Sequence, residues 1–238
     1  MTVARISLAR LILALFGGLA MQVPPAAAAE REGLTGVLLA ADAAQVTSLA
    51  LSAYEAGDLP EAERLFLLAA AAGDALAAYN AAVIRLNEER MVQSEEAALS
   101  LLQQSAQAGF SPAQHMLATL HDHGRLMPRS QSLALKWYRL AAEQGDAAAQ
   151  LAVATQYYLG RGTTRDYQEA AHWYHKAAQA GDAAAQYILA SMYEKGVGVA
   201  LDLDQALSWY AAAARQGDVV AGLKAREVVE LLAQQRRQ

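Results

Sequence analysis

Apolar and polar positions alternate along this chain with a helical beat that repeats. Ala62 is followed by Leu65/Phe66 and Ala69, a spacing of i, i+3/i+4, i+7. The same figure returns as Ala98, Leu101/Leu102, Ser105, then Ala134, Trp137/Tyr138, Ala141, then Ala170, Trp173/Tyr174, Ala177, and finally Ala206, Trp209/Tyr210, Ala213. Each set lies on one face of an α-helix, here called helix B. Upstream of each sits Asp58, Ser94, Ser130, Asp166 or Asp202, residue types whose side-chain oxygen accepts from first-turn amides. Glu61, Glu169 and Gln205, three residues beyond the aspartates, complete the sequence of a capping box. Downstream, Gly73, Gly109, Gly145, Gly181 and Gly217 close each helix with a residue free to turn left-handed.

Every one of these positions recurs at an interval of 36 residues. A preceding helix A starts after the previous glycine, as in 147–159 and 183–195, and loops carrying Gly160/Gly162 or Gly196/Gly198 join it to helix B. The unit is a helical hairpin. A fixed period of this size marks a solenoid, in which each unit buries its apolar face against its neighbours.

The later units resemble the Sel1-like repeats, relatives of the tetratricopeptide repeats: Leu189, Ala190, Tyr193, Gly196, Gly198, Val199, Asp202, Ala206, Trp209, Tyr210 and Gly217 follow that motif, and the unit closing at Gly181 is nearly as near to it. The second unit departs, with Asn87–Arg90 in place of the glycine loop, and the first, reading Tyr54, Gly57, Asp58, Ala62, Phe66, looks more like a tetratricopeptide unit. The resemblance covers residues 42–238 and implies an all-α, right-handed superhelical solenoid. Five hairpins are expected over 42–217. A last helix over 218–238 is expected to cap them, with Val220, Leu223, Val228, Leu231 and Leu232 on its apolar side and Lys224, Arg226 and Glu227 in solvent.

Residues 1–29 read differently. Arg5 and Arg10 precede an apolar run from Leu11 to Met21, and Ala27 and Ala29 stand before Glu30 as a signal peptidase requires. The run is shorter than the ~20 apolar residues a membrane span needs. A cleaved signal peptide, a lead-in over 30–41 and a periplasmic or secreted product without a membrane anchor are therefore expected. Without cysteine, neither lipidation nor a disulfide contributes. The net charge of −5 becomes −7 once the two arginines leave, and no basic stripe or arginine cluster stands out along the sequence, which argues against nucleic acid as a partner.

Nucleophile elbows, phosphate-binding loops and metalloprotease motifs are missing from the sequence. Of the histidines, His121 occupies the register of Tyr157 and Tyr193, and His172 and His175 fall on the rim or outer face of a helix B. None suggests the three or four converging ligands of a zinc site, so no catalytic residue, metal or cofactor is expected. In tetratricopeptide-like hairpins helix A lines the inner wall, and the resemblance sets out three rails there. They are Tyr79, His115, Leu151 and Tyr187; Val83, Thr119, Thr155 and Ser191; and Leu86, Asp122, Tyr158 and Glu194. Such a mixture suits an extended peptide or an amphipathic helix. The same spacing equally admits Leu151 and Tyr187 as packing between adjacent A helices. The function expected is a protein-binding scaffold or adaptor in the bacterial cell envelope. A hydrolase of envelope polymer or β-lactam is the alternative from another class, and a permanent structural subunit of an envelope machine is a third.

Overall fold

The computed structural model describes residues 42–87 and 92–237, and among them there are eleven helices and no strand. The A helices are α1 (42–55), α3 (Ala75–Asn87), α5 (Ser111–His123), α7 (Ala147–Leu159), α9 (Ala183–Lys195) and α11 (Val219–Gln235). Between them lie the B helices α2 (Leu59–Ala71), α4 (Val92–Gln107), α6 (Gln131–Glu143), α8 (Tyr167–Gln179) and α10 (Leu203–Arg215). From α2 to α11 each helix packs on its neighbours in the chain, which makes an α-solenoid. The expected signal peptide and lead-in, residues 1–41, lie outside the described residues.

Small residues set the stacking distance. Ala62, Ala98, Ala134, Ala170 and Ala206 on the B helices have no exposed surface, nor have Ala77, Ala113, Ala149, Ala185 and Ala221 on the A helices. Side chains of this size let helix axes approach to the near end of the usual ~8–10 Å. The large residue that fills each interior is the second of the aromatic or aliphatic pair: Phe66, Leu102, Tyr138, Tyr174 and Tyr210 are all buried. The first is less covered. Trp173 is buried, whereas Trp137 and Trp209 are half-buried.

The periodic glycines close the B helices in a Schellman motif. Gly181, at φ 95°, donates its amide to the Ala178 carbonyl and Asp182 donates to Ala177, and the same pair of bonds recurs at the other four turns. The aspartate after the glycine then begins the next helix A. Asp74, Asp146, Asp182 and Asp218 accept from Ala77, Ala149, Ala185 and Ala221, a role that the recurrent Gly-Asp pair signals and that we did not assign from sequence.

Three expectations need correction. Ser94 does not cap α4. The helix starts at Val92, and Ser94 lies within its first turn, in the unit that has no glycine loop to fix the start. The capping boxes are half formed. Asp58, Asp166 and Asp202 accept from residues two or three further on, but their own amides go to helix A carbonyls (Ala53, Tyr157, Tyr193), and the Glu61 carboxylate is taken by Arg64. In α11 the packed face is Ala221, Ala225, Val228 and Leu232, with Val220, Leu223 and Leu231 exposed. The helix keeps the register of the other A helices, with Ala221 where Ala185 stood, and that register rather than side-chain size decides which residues pack.

A second glycine in the last two A–B loops is required by close approach. A Cβ on Gly162 would collide with the Gln131 carbonyl at the start of α6, and one on Gly198 with the Tyr167 carbonyl at the start of α8. In the third unit the equivalent residue is Leu126, the one non-glycine with positive φ among the described residues, at 62°.

A candidate partner-binding wall on the A helices

On α7 the buried residues are Ala149, Gln150, Val153, Ala154 and Gln156. At 3.6 residues per turn the opposite side is Ala148, Ala152, Thr155 and Leu159, spaced i, i+4, i+7, i+11. Its ends, Ala148 and Leu159, are exposed. The same stripe on the other A helices begins at Leu76, Pro112, Ala184 and Val220, and all four are exposed. It continues through Asn80, Met116 and Ile188, then Val83, Thr119 and Ser191, and ends at His123 and Lys195. From α3 to α9 the centre of the wall carries apolar, amide and hydroxyl side chains, with charge only at its C-terminal end, while on α11 the same central positions are Lys224 and Glu227, paired at 2.6 Å.

All twelve rail residues named from sequence are half-buried. Val83, Thr119, Thr155 and Ser191 lie on the stripe itself. The other two rails lie to one side of it, where several members meet helix B or the turn that follows it. Tyr79 meets Phe110 edge-on at 5.3 Å, His115 meets Tyr138 at 5.5 Å and Tyr187 meets Tyr210 at 5.4 Å. Tyr158 stands between Tyr167 and Tyr174, at 5.2 and 6.3 Å. Leu151 packs against the central core cluster.

Below the stripe the B-helix tyrosines are tied by their hydroxyls. The Thr119 hydroxyl lies 3.1 Å from the Tyr138 hydroxyl, and Thr155 is 3.2 Å from that of Tyr174. In the fifth unit the Tyr210 hydroxyl donates to Glu194 at 2.6 Å. Burial pushes the Tyr138 and Tyr174 phenols above their usual range, and at Tyr210 burial together with the Glu194 carboxylate pushes it further. His115 Nδ1 lies 3.0 Å from Asp146 Oδ2, which links the wall to the cap of the next helix A. These hydroxyls serve cohesion, and no nucleophile with a neighbouring base is among them.

The histidines are dispersed. His121 is half-buried, its pKa lowered by that burial, His172 is exposed, and His175 lies edge-on to Trp209 at 5.6 Å. Among the described residues no group of three His, Asp or Glu is placed to hold a metal ion, and no helix is long and apolar enough to cross a membrane.

Stacking also assembles what the sequence hides. Arg125 and Arg161 follow the C-terminal glycines of α5 and α7, and Arg129 and Arg165 precede the caps of α6 and α8. All four are exposed on one edge of the solenoid, and among the described residues none is in an ion pair. They fall in pairs 36 residues apart, so no basic run marks them along the chain.

These hairpins are Sel1 repeats: the family profile of that description matches residues 49–74, 75–110, 111–146, 147–182 and 183–218, and the chain belongs to that family. The family is one of protein-interaction scaffolds. Among solved structures the chain is similar to a Sel1 repeat protein from Oxalobacter formigenes, at 29% identity and TM-score 0.64 over 71% of this chain and 49% of that one. It is also similar to c5321, a protective antigen of uropathogenic Escherichia coli strains that displays the same fold, at 28% identity and TM-score 0.71 over 83% of this chain and 42% of that one. This chain thus spans half or less of the length of both. Comparison with curated proteins finds no match.

Proposed function

We propose that this protein is an exported scaffold or adaptor of the bacterial cell envelope, which holds a protein or peptide against the wall formed by its A helices. The observation that carries the reading is the continuous stripe from Leu76, Pro112, Ala148, Ala184 and Val220, exposed and uncharged on successive helices. Such an exposed apolar strip with polar margins is the composition of an interaction surface. Export is supported by the basic, apolar and small-residue segments of residues 1–29.

The test is capture of partners by the purified chain with and without Ala148→Glu and Ala184→Glu. Both positions are exposed, so the double variant should unfold within about 0.5 kcal/mol of the parent. The reading expects the captured protein to be lost while stability stays. A captured protein that is kept by the double variant would show that another surface binds it. Intact-mass analysis of the exported product should show a chain beginning at or near Glu30; a product that retains Met1 would refute export.

A further inference from the structure

Building on the reading of the A-helix wall as a binding surface, we propose that its occupant is an amphipathic helix of the partner protein, lying along the array with its apolar face on the stripe and an acidic flank against the arginine edge.

Shape favours a helix. The apolar stripe and the charged edge lie side by side on one surface, so the occupant must present an apolar face and a charged flank at once. An amphipathic helix does so, because polar residues border its apolar stripe on the same side of the helix. In an extended strand successive side chains point to opposite faces, so the residues that do not meet the stripe are turned away from the wall and its edge.

Charge selects the flank. The C-terminal ends of the stripe on α5 and α7 are His123 and Leu159, and two residues beyond each comes Arg125 or Arg161. Arg129 and Arg165 complete that edge. Arg129 donates through Nε to the Asp122 carbonyl at 2.7 Å, and Arg165 lies over the Tyr167 ring at 5.8 Å with a bond to its hydroxyl at 3.3 Å, so both are steered without being neutralised. The cap of α6 between the two pairs is Ser130, where three of the other B helices carry aspartate. This leaves the third unit's edge without that carboxylate. Over the third and fourth units this edge therefore sets four arginines against one cap carboxylate, Asp166, whereas the opposite edge of the wall is lined by the cap carboxylates Asp74, Asp146, Asp182 and Asp218. A helix whose acidic flank faced that edge would meet like charge. Arginine and tyrosine together at a groove margin are also the residues that carry most binding energy at protein interfaces.

The experiment uses the purified chain and two synthetic helical peptides of roughly 21 residues, about 31 Å long at 1.5 Å per residue. Both have leucine at heptad spacing on one face; one carries glutamate along its flanks and the other lysine. Fluorescence anisotropy should show the glutamate peptide binding at least about tenfold more tightly, with that advantage falling as salt rises through a few hundred millimolar. Arg125→Glu with Arg161→Glu should abolish or reverse the preference, and Arg125→Gln with Arg161→Gln should reduce it, with circular dichroism confirming that each variant keeps its helices. Equal affinity for the two peptides, or a preference that survives charge reversal, overturns the proposal. If binding in that case is still lost with Ala148→Glu and Ala184→Glu, the wall remains the binding surface and only the charge selection is wrong. If neither peptide binds, or binding ignores those two substitutions, the wall reading fails with it.

Discussion

Gln156 occupies a position that the fold treats as apolar, and replacing it should stabilise the protein. The equivalent residues in neighbouring units are Ile84, Leu120 and Met192, all buried. Gln156 is as buried as they are, at 4% exposed, and its Oε1 has no partner within the protein. A buried carbonyl acceptor left without a hydrogen bond costs about 1–3 kcal/mol. Gln156→Met removes that acceptor, keeps the side-chain length and installs the residue that the next unit already uses. Volume-conserving exchanges into an apolar site themselves cost under ~1.5 kcal/mol. The net expectation is a gain of about 1 kcal/mol, or ~2–4 °C in melting temperature for an array of this size. Urea unfolding followed by circular dichroism measures it, and the midpoint should rise with an unchanged slope. A lower midpoint would refute the reasoning, since it would show that the amide makes a favourable bond in the folded protein.

Three further outcomes follow from the same packing. Gln114 and Gln186 each donate to a B-helix carbonyl and accept from Gln144 or Gln216, but Gln150 lacks the second bond because the matching residue is Ala180. Ala180→Gln should supply it and raise stability by about 1 kcal/mol; a lower urea midpoint would count against this pairing. Gly198→Ala should destabilise more than Gly181→Ala, by at least ~1 kcal/mol in urea midpoints, because both have positive φ but only the former meets a backbone carbonyl. The Tyr210 phenol is held protonated in the fold, its folded pKa being raised above the unfolded value. Its contribution is therefore full below pH ~10 and lost as pH rises beyond that, and Tyr210→Phe should flatten the alkaline limb of a stability profile. An unchanged limb would show that Tyr210 does not titrate with unfolding.

The repeat, its hairpins and the small-residue columns were legible because each rests on local chemistry that recurs every 36 residues: caps, glycine turns and one apolar face per helix. Where the local signal was missing, the reading slipped. Ser94 looks like a cap, but without the glycine loop nothing fixes the start of α4. The apolar face of α11 was assigned by side-chain size, and Val220 and Leu223 were placed inside; the array's register instead turns Ala221 and Val228 inward and leaves those two on the A-helix wall. The rails followed a borrowed register whose outer members, such as Tyr187, meet helix B tyrosines. The arginine edge was invisible because no short window of sequence contains it, and only stacking one unit on the next brings its two pairs together.

The claim that the A-helix wall binds a protein is tested most directly by photocrosslinking in cells. A photoreactive amino acid at Ala148 or Ala184, on the exposed stripe, is compared with the same group at Lys136 or Ser208, exposed on the B helices. The account predicts that irradiation joins one discrete partner to the chain from the two wall positions and not from the two B-helix positions. Adducts formed from the B helices alone, or from none of the four, would contradict it.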